Sequence, residues 1–560
     1  MSLVPEIVER HWMPDGQDDS MSPEVLQGDA KTEEAVETRP DDDVAEADQD
    51  FLQRQYELAQ LDRSSRLRWE MIKRLTVCGV AFLNDAYDMF AINIVAMILG
   101  FVYFNDATGS ERNIVPRKWD TLIKIAVQIG CLLGQLVMGR LGDKIGRTAV
   151  YSASLMIAIF TTIASAFSNS MVKGINVFVV LFIWRTLLGF GIGGDYPLTA
   201  AIVSEYASVH NRGKLMAAVF AFQGFGNVLA PIVSLIVIAC FKSSIDSNVL
   251  YLDYVWRIII GVGCIPGVCT IYWRLCMTDS DRFRRLEQNN GDGTSVHSTG
   301  SEGEKLLTSD RDNSISSTGF ISRQTHVRQQ KSFSQYFREW RHLKVLLGTS
   351  LAWFSLDIAF YGINLNSSIV ISAIGFSGDI ATDNPSSFII RNCLGNIIIN
   401  LLGSVPGYWI AVFTIEKLGR KKIQIAGFAV LTVLYLVLGF AYHQILNKST
   451  GAFIFLFSVA QLFQNFGPNV TTFVIPGEVF PTRFRATAHG ISAASGKLGA
   501  IVAQGGFLQL SDIGGKSAFI DHLLQIFALF MFIGFAVTFW IPESKGKSLE
   551  EICNPDEEYI

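Results

Sequence analysis

Twelve apolar stretches, each long enough to cross a bilayer as a helix, run through the 560-residue sequence in two groups of six. Only 17% of the residues are charged and 49% are hydrophobic, so a soluble fold would have to expose large apolar patches. We therefore predict an all-α membrane protein with 12 transmembrane helices in two six-helix halves. The stretches lie near residues 76–104, 121–141, 148–168, 175–206, 214–240, 255–276, 344–372, 391–415, 422–443, 451–477, 485–510 and 519–541.

Polar segments frame the two groups and define the predicted domains. Residues 1–62 are acid-rich and predicted to be disordered, and residues 63–276 form the N-terminal six-helix half. Residues 277–342 form a linker rich in Ser, Thr, Asn, Arg and Gln, which we also predict to be disordered. Residues 343–541 form the C-terminal half, and residues 542–560 form a short tail.

Lys and Arg residues concentrate in alternate loops, before the first stretch, between stretches 2 and 3, in the linker, and at 417–422. This bias places the linker and both termini on the cytoplasmic side. No basic-then-apolar leader precedes the first stretch, so we expect no cleaved signal peptide. We expect a multi-pass protein of the plasma membrane.

The two halves repeat each other at a fixed offset of 273 residues. Gly142–Arg147 matches Ile415–Arg420, and Ser204-Glu205 with Arg212 matches Gly477-Glu478 with Arg485. Duplicated six-helix halves are typical of secondary transporters, whose substrate site lies where the halves meet. Channels with other repeat patterns are the less favoured alternative.

Several motifs resemble the major facilitator superfamily, its sugar-porter-like branch and, within it, the fungal and plant phosphate:proton symporters. The resemblance spans all twelve stretches but not the tails or the linker. It implies a major facilitator fold that imports inorganic phosphate with protons. The motifs are Gly139–Arg147, Pro476–Arg483, Pro542–Gly546, Gly193–Leu198 with Ser204–Ala207, Asn84–Phe90 and Ala488–Lys497.

Six ionisable side chains lie within the apolar stretches, where charge is costly and usually functional. They are Asp85, Asp88, Arg185, Asp195, Asp357 and Lys497. Asp357 shares a helical stripe with Trp353 and Tyr361, because the three recur every four residues. Four carboxylates against two cations leave the predicted cavity with two net negative charges, which repel an anion. Protonation of the carboxyls removes this repulsion, so anion and proton binding favour each other, as a symporter requires.

Interrupted segments in matching positions of the two halves point to the binding site. Glycines 189, 191, 193 and 194 with Pro197 are predicted to break the fourth stretch, and Gly467-Pro468 breaks its counterpart. Gln223, Asn465 and Asn469 add neutral hydrogen-bonding groups nearby.

The resemblance assigns roles to individual residues. It implies phosphate binding by Tyr196, Gln223, Trp353, Asp357, Tyr361 and either Asn465 or Asn469, with Lys497 near the substrate. It implies proton coupling by Asp85, Asp88, Arg185 and Asp195. One alternative remains open: Arg185 and Asp195 form only a structural ion pair.

Eight charged residues near the helix ends are predicted to form cytoplasmic charge networks that gate the halves without touching substrate. They are Asp143, Arg147, Glu205, Arg212, Glu416, Arg420, Glu478 and Arg485.

The sequence thus predicts a proton-coupled phosphate importer that catalyses no covalent step and uses no cofactor or metal. A GxGxxG match at 189–194 lies in an apolar helix and follows no strand, which excludes dinucleotide binding. Expected partners are phosphate, protons and the lipid bilayer, with kinases or ubiquitin machinery at the termini and linker, and no nucleic acid. The alternatives are a glycerophosphodiester symporter, a phosphate receptor with little flux and, least favoured, a sugar carrier.

Overall fold

The apolar stretches fold into helices because, in hydrocarbon, a backbone amide or carbonyl finds its hydrogen-bonding partner only within its own helix. The computed structural model describes residues 69–105, 112–169, 176–280, 332–378, 380, 383–511, 513 and 519–552. These residues contain helices and no strand, and all of them fall in one compact unit. The predicted acidic head at 1–62, most of the linker, and the tail beyond 552 lie outside the described residues.

Each predicted stretch coincides with a helix or with two helical pieces. Short helices also occur at Phe333–Arg338, Ser367–Ala373, Tyr442–Lys448 and Leu549–Ile552. The long helices are α1 (Trp69–Tyr103), α2 (Arg117–Ile145), α3 (Arg147–Ala166), α4 (Val177–Tyr206), α5 (Arg212–Ser247), α6 (Val249–Leu275), α7 (Trp340–Asn364), α8 (Pro385–Leu418), α9 (Arg420–Phe440), α10 (Thr450–Gln464 and Val470–Val479), α11 (Arg485–Leu510) and α12 (Ile520–Thr538).

Ten of the helices among the described residues are long and apolar enough to cross a membrane. The two that fall short are α10, which is divided at Asn465–Asn469, and α11, which is rich in Gly, Ala and Ser. Helix α11 packs against both α2 and α7, and small residues allow such close helix packing inside a membrane bundle. Length and composition therefore support ten of the twelve predicted membrane spans among the described residues.

The seventh stretch ends earlier as a helix than the sequence predicts. Helix α7 stops at Asn364, and a separate helix starts at Ser367. The Asn366 amide donates to the Gly362 carbonyl at 2.9 Å, and such side-chain bonds compete with continued helical pairing.

The predicted break in α4 is wrong. The helix continues through Pro197 without interruption, and its glycines serve close packing instead. A Cβ at Gly189 would lie 2.1 Å from the Val127 carbonyl oxygen, and one at Gly193 would lie 2.5 Å from that of Cys131. These glycines let α4 approach α2 backbone to backbone.

The predicted break in the second half is confirmed. Residues Asn465–Asn469 form a π turn, and Gly467 has non-helical φ −96° and ψ −111°. Pro468 lacks the amide hydrogen that a continuous helix needs. The turn packs closely on α9, because a Cβ at Gly467 would lie 2.6 Å from the Gly427 Cα.

The packing repeats between the halves. Helix α1 packs on α5, and α7 packs on α11 in the same way. Across the halves, α2 packs on α11, while α5 packs on α8. The predicted site residues lie on α1, α4, α5, α7, α10 and α11, and both halves contribute to this set.

Candidate functional site

A buried cation, carboxyl and phenol meet where α7 faces α11. Lys497 Nζ donates to the Asp357 carboxylate at 3.1 Å and to the Tyr361 hydroxyl at 2.7 Å. All three side chains are at most 2% exposed. The ammonium also lies 5.2 Å from the centre of the Tyr196 ring on α4. Groups from both halves thus surround one cation.

Trp353 lies one helical turn before Asp357, on the stripe that the sequence predicts. Its ring packs edge-on against His489 of α11, with 5.4 Å between ring centres. A Cβ at Gly496 would lie 2.6 Å from Trp353 Cδ1 and 2.8 Å from Asp357 Oδ2. Gly496 is therefore needed for α11 to approach the stripe.

The amides of the π turn join this region through a tyrosine. Asn469 donates to the Tyr408 hydroxyl at 2.7 Å and to the Asn465 side-chain oxygen at 2.8 Å. Asn465 in turn donates to the Gln461 carbonyl at 2.7 Å. Tyr408 packs against Phe220 of α5, and Gln223 lies one turn further along α5 with its Oε1 buried and unpartnered among the described residues.

The helix-1 acids lie beside α3 and α4. Asp88 accepts hydrogen bonds from Thr162 at 3.1 Å and from Asn84 at 3.3 Å. Arg185 donates to the Asp88 backbone carbonyl at 3.1 Å. The Asp85 carboxyl is 3% exposed, and its Oδ2 has no hydrogen-bond partner among the described residues.

Arg185 and Asp195 do not pair, so the alternative of a structural ion pair between them is wrong. Asp195 instead pairs with Arg274 of α6, which donates to its Oδ2 at 2.9 Å and also contacts Oδ1. Ser154 donates to the same carboxylate at 2.5 Å. The Arg274 guanidinium lies 3.3 Å from the centre of the Tyr151 ring. With Arg274 included, the buried region has four carboxylates and three cations. Its net charge is therefore −1 when all are ionised, instead of the −2 predicted from sequence.

The eight predicted network residues do contact one another at one end of the bundle. Glu205 contacts Arg147 of its own half and accepts from Arg485 of the other half at 3.1 Å. Glu478 accepts from Arg420 of its own half at 2.9 Å and from Arg212 of the other half at 3.1 Å. We call these two groups the arginine–glutamate clusters.

The remaining network acids extend the two clusters. Asp143 accepts from the Thr487 backbone amide across the halves at 2.7 Å, and Glu416 accepts from Arg420 at 2.6 Å. The clusters obey the 273-residue offset residue by residue, so they are one motif used twice.

A family model described as sugar (and other) transporter matches residues 75–554. The chain belongs to this family. It is 41% identical over 509 residues to the inorganic phosphate transporter PHO84 of Saccharomyces cerevisiae, covering 86% of this chain and 84% of that one. It is 38% identical over 526 residues to the repressible high-affinity phosphate permease of Neurospora crassa, covering 89% of each.

Solved structures show the same architecture in the family. The structure of the MFS (major facilitator superfamily) proton:xylose symporter XylE, bound to a bromodeoxyglucose, superimposes with a TM-score of 0.62. The alignment covers 86% of this chain and 98% of that one at 19% identity. An inward-open XylE structure from E. coli superimposes with a TM-score of 0.54. At this identity the likeness establishes the major facilitator fold and nothing about substrate.

Two buried residues that contact the predicted site residues were not predicted from the sequence: Arg274, which pairs with Asp195, and Tyr408, which binds Asn469. Arg274 lies near the end of the predicted sixth stretch, where a basic residue is easily assigned to a cytoplasmic loop. Tyr408 lies in an apolar stretch and carries no charge to mark it. In addition, no group of three or more His, Cys, Asp or Glu residues suited to a metal occurs in the part of the chain that the structure describes.

Proposed function

We propose that this chain is a secondary active transporter that imports inorganic phosphate together with protons. Relatives named as phosphate transporters or permeases, at 37–41% identity, support phosphate as the substrate. The observation that carries the proposal is the buried Lys497 ammonium, which donates to a carboxyl and a phenol and lies near the ring of a second phenol. An anion can bind to that ammonium without any covalent step.

Proton coupling follows from the partner of Lys497. While Asp357 is ionised, its carboxylate neutralises the ammonium, and a phosphate anion gains little by approaching. Protonation of Asp357 releases the ammonium for phosphate and turns the carboxyl into a hydrogen-bond donor. Proton and phosphate binding then strengthen each other by the same factor. Tyr196, Gln223, Trp353, Tyr361 and a π-turn amide, Asn469 or Asn465, are proposed to complete the phosphate site.

We assign the proton path to Asp85, Asp88, Arg185 and Asp195, with different roles. Asp195 is held by Arg274, and protonating it would break a buried charge-assisted pair. We therefore propose that Asp85 and Asp88 carry the moving proton. Among the described residues, Asp85 has a buried oxygen without a partner, and the side chains that donate to Asp88 are the neutral Thr162 and Asn84. Arg185, beside Asp88, stabilises the ionised state.

Alternating access is proposed to occur by rocking of the halves 63–276 and 343–541 about the buried site. The arginine–glutamate clusters then form the gate on the cytoplasmic side, since the basic loops lie at that end. On the same reasoning we propose a plasma-membrane location with both termini and the linker cytoplasmic, where kinases or ubiquitin machinery reach them.

Radiolabelled phosphate uptake into proteoliposomes tests the proposal, with and without an inward proton gradient. We expect the gradient to increase phosphate uptake by the wild-type chain. In Asp357→Asn we expect uptake with the gradient to be no higher than uptake without it. The matched control is Asp383→Asn, the same change in an acid that pairs with Arg391 in a partly exposed position.

The other outcomes separate the alternatives. Phosphate binding without uptake under any gradient would indicate a receptor. Uptake of a glycerophosphodiester, or of a sugar, in place of phosphate would keep the family and change the substrate. Equal loss of uptake in Asp383→Asn would remove the specific role proposed for Asp357.

A further inference from the structure

A polar cleft lies between the two halves, at the opposite end of the bundle from the arginine–glutamate clusters. Arg74, near the start of α1, contacts Thr278 beside the first cluster. Asn93 lies 19 residues further along α1, which places it roughly 28 Å away along the helix axis. The space in the cleft that is open to a water-sized molecule is about 20 Å³, above the roughly 10–15 Å³ that a bound water needs.

Uncharged amides dominate the lining of this cleft, and no charged side chain is among its lining residues. Both halves contribute, and Asn93 of α1 contacts Ser367 and the Asn364 carbonyl across the interface. We call this site the amide cleft. Its polar lining consists of Asn93, Asn227, Asn364, Ser367, Asn396 and Asn400.

The side-chain oxygen of Asn227 faces this site without a hydrogen-bond donor among the described residues. Its side chain is 5% exposed, and its Oδ1 is buried without a hydrogen-bond partner among the described residues. A buried unsatisfied acceptor is costly, so it indicates a ligand that donates a hydrogen bond. Gln223 Oε1, one turn earlier on the same face of α5, is unpartnered in the same way.

A stacked aromatic pair connects the lining of the amide cleft to the Lys497 cluster. Phe90 lines the cleft, and its ring stacks on Tyr361 with 6.0 Å between centres and an interplanar angle of 9°. The hydroxyl of the same Tyr361 accepts a hydrogen bond from Lys497. The two unpartnered acceptors on α5 thus mark a path from the cleft towards the buried site.

We propose that the amide cleft is a second phosphate site, which takes the protonated monoanion before it reaches Lys497; this rests on the proposed function. Protonated phosphate carries hydroxyl donors for Asn227 Oδ1 and oxygens that accept from amide and hydroxyl groups. Sulfate carries no donor at neutral pH and leaves that oxygen unsatisfied. An uncharged lining holds the anion without a competing ion pair, so the anion can move on to the ammonium.

Transport kinetics of the full chain in proteoliposomes test this site. Asn227→Leu and Asn227→Ser are expected to raise the KM for phosphate about tenfold while kcat stays within about twofold. Among the described residues no donor bonds to Asn227 Oδ1, so neither change removes a hydrogen bond accepted by that oxygen, and both variants should fold. The control is Phe225→Leu, on the partly exposed face of the same helix. A wild-type KM in both Asn227 variants overturns the proposal.

Equilibrium binding of radiolabelled phosphate isolates the cleft from the central site. The double variant Asp357→Asn with Lys497→Met is expected to retain weak phosphate binding that sulfate does not displace and that adding Asn227→Leu abolishes. No residual binding, or binding indifferent to Asn227, overturns the second site alone. A wild-type chain that neither binds nor takes up phosphate overturns the proposed function as well.

Discussion

Arg274 is the cation that pairs with the Asp195 carboxylate inside the N-terminal half. Arg274→Met removes both guanidinium contacts and leaves a carboxylate that is 3% exposed without its cation. We expect a loss of about 3–5 kcal/mol in stability, because an unpaired buried charge is strongly destabilising. Thermal unfolding of the purified protein in detergent measures it, and adding Asp195→Asn should recover most of the loss.

The matched control for Arg274→Met is Arg257→Met in the same helix. Arg257 pairs with Asp253, but these side chains are 21% and 31% exposed, so we expect a loss of about 1 kcal/mol or less. Equal destabilisation by both substitutions would contradict the importance of burial at Arg274.

Asp85 offers a test of coupling that leaves the phosphate site intact. An amide cannot carry the moving proton, so Asp85→Asn should remove the stimulation of uptake by a proton gradient. Phosphate exchange across the membrane without a gradient should stay within about twofold of wild type, because no proton needs to cross in that cycle. Gradient-stimulated uptake by Asp85→Asn at the wild-type rate would exclude Asp85 as the carrier.

Helical spacing predicted the shared stripe of Trp353, Asp357 and Tyr361, because period alone fixes which residues share a face. The contact of Lys497 with that stripe was expected only from family resemblance. The partner of Asp195 could not be predicted, because Arg274 lies 79 residues away in the sequence and only tertiary packing brings it to Asp195. The contact of Tyr408 with Asn469 could not be predicted for a related reason. In a sequence, a tyrosine within an apolar stretch cannot be distinguished from a core residue, because the partner of its hydroxyl is unknown.

At the scale of elements, similar Gly and Pro signals in α4 and α10 have opposite outcomes. In α4 the glycines face α2 carbonyls at contact distance, and the helix stays continuous. In α10, Gly467 takes a non-helical conformation and Pro468 lacks a donor. A Gly-rich apolar segment by itself does not distinguish close packing from a break, so of the two breaks predicted from the sequence only the one in α10 is present.

Gly189→Ala tests the packing role of α4. The new Cβ would lie 2.1 Å from the Val127 carbonyl oxygen, so α2 and α4 must separate at a cost of about 1–3 kcal/mol. We expect a lower yield of monodisperse protein and a lower unfolding temperature. Gly505→Ala in α11 is the control, because its Cβ meets nothing within 4 Å, and it should be neutral or slightly stabilising.

At the scale of the whole molecule, each of the two arginine–glutamate clusters joins the two halves by an ion pair. Each glutamate takes one arginine from its own half and one from the other, and only the second kind must separate when the halves rock. Arg212 and Arg485 are those cross-half arginines. Because they are related by the 273-residue offset, loss of either should favour opening at this end to a similar extent.

The prediction is that Arg212→Met and Arg485→Met each raise the population open at this end by tenfold or more, and the double variant exceeds either. Distances between spin labels at positions 144 and 422, which are exposed in opposite halves at this end, measure it once exposed native cysteines are replaced. Arg391→Met, which breaks a partly exposed pair elsewhere, should leave the distances unchanged. If only one of the two single variants increases the open population, the two clusters do not contribute equally, although their residues are related by the same sequence repeat.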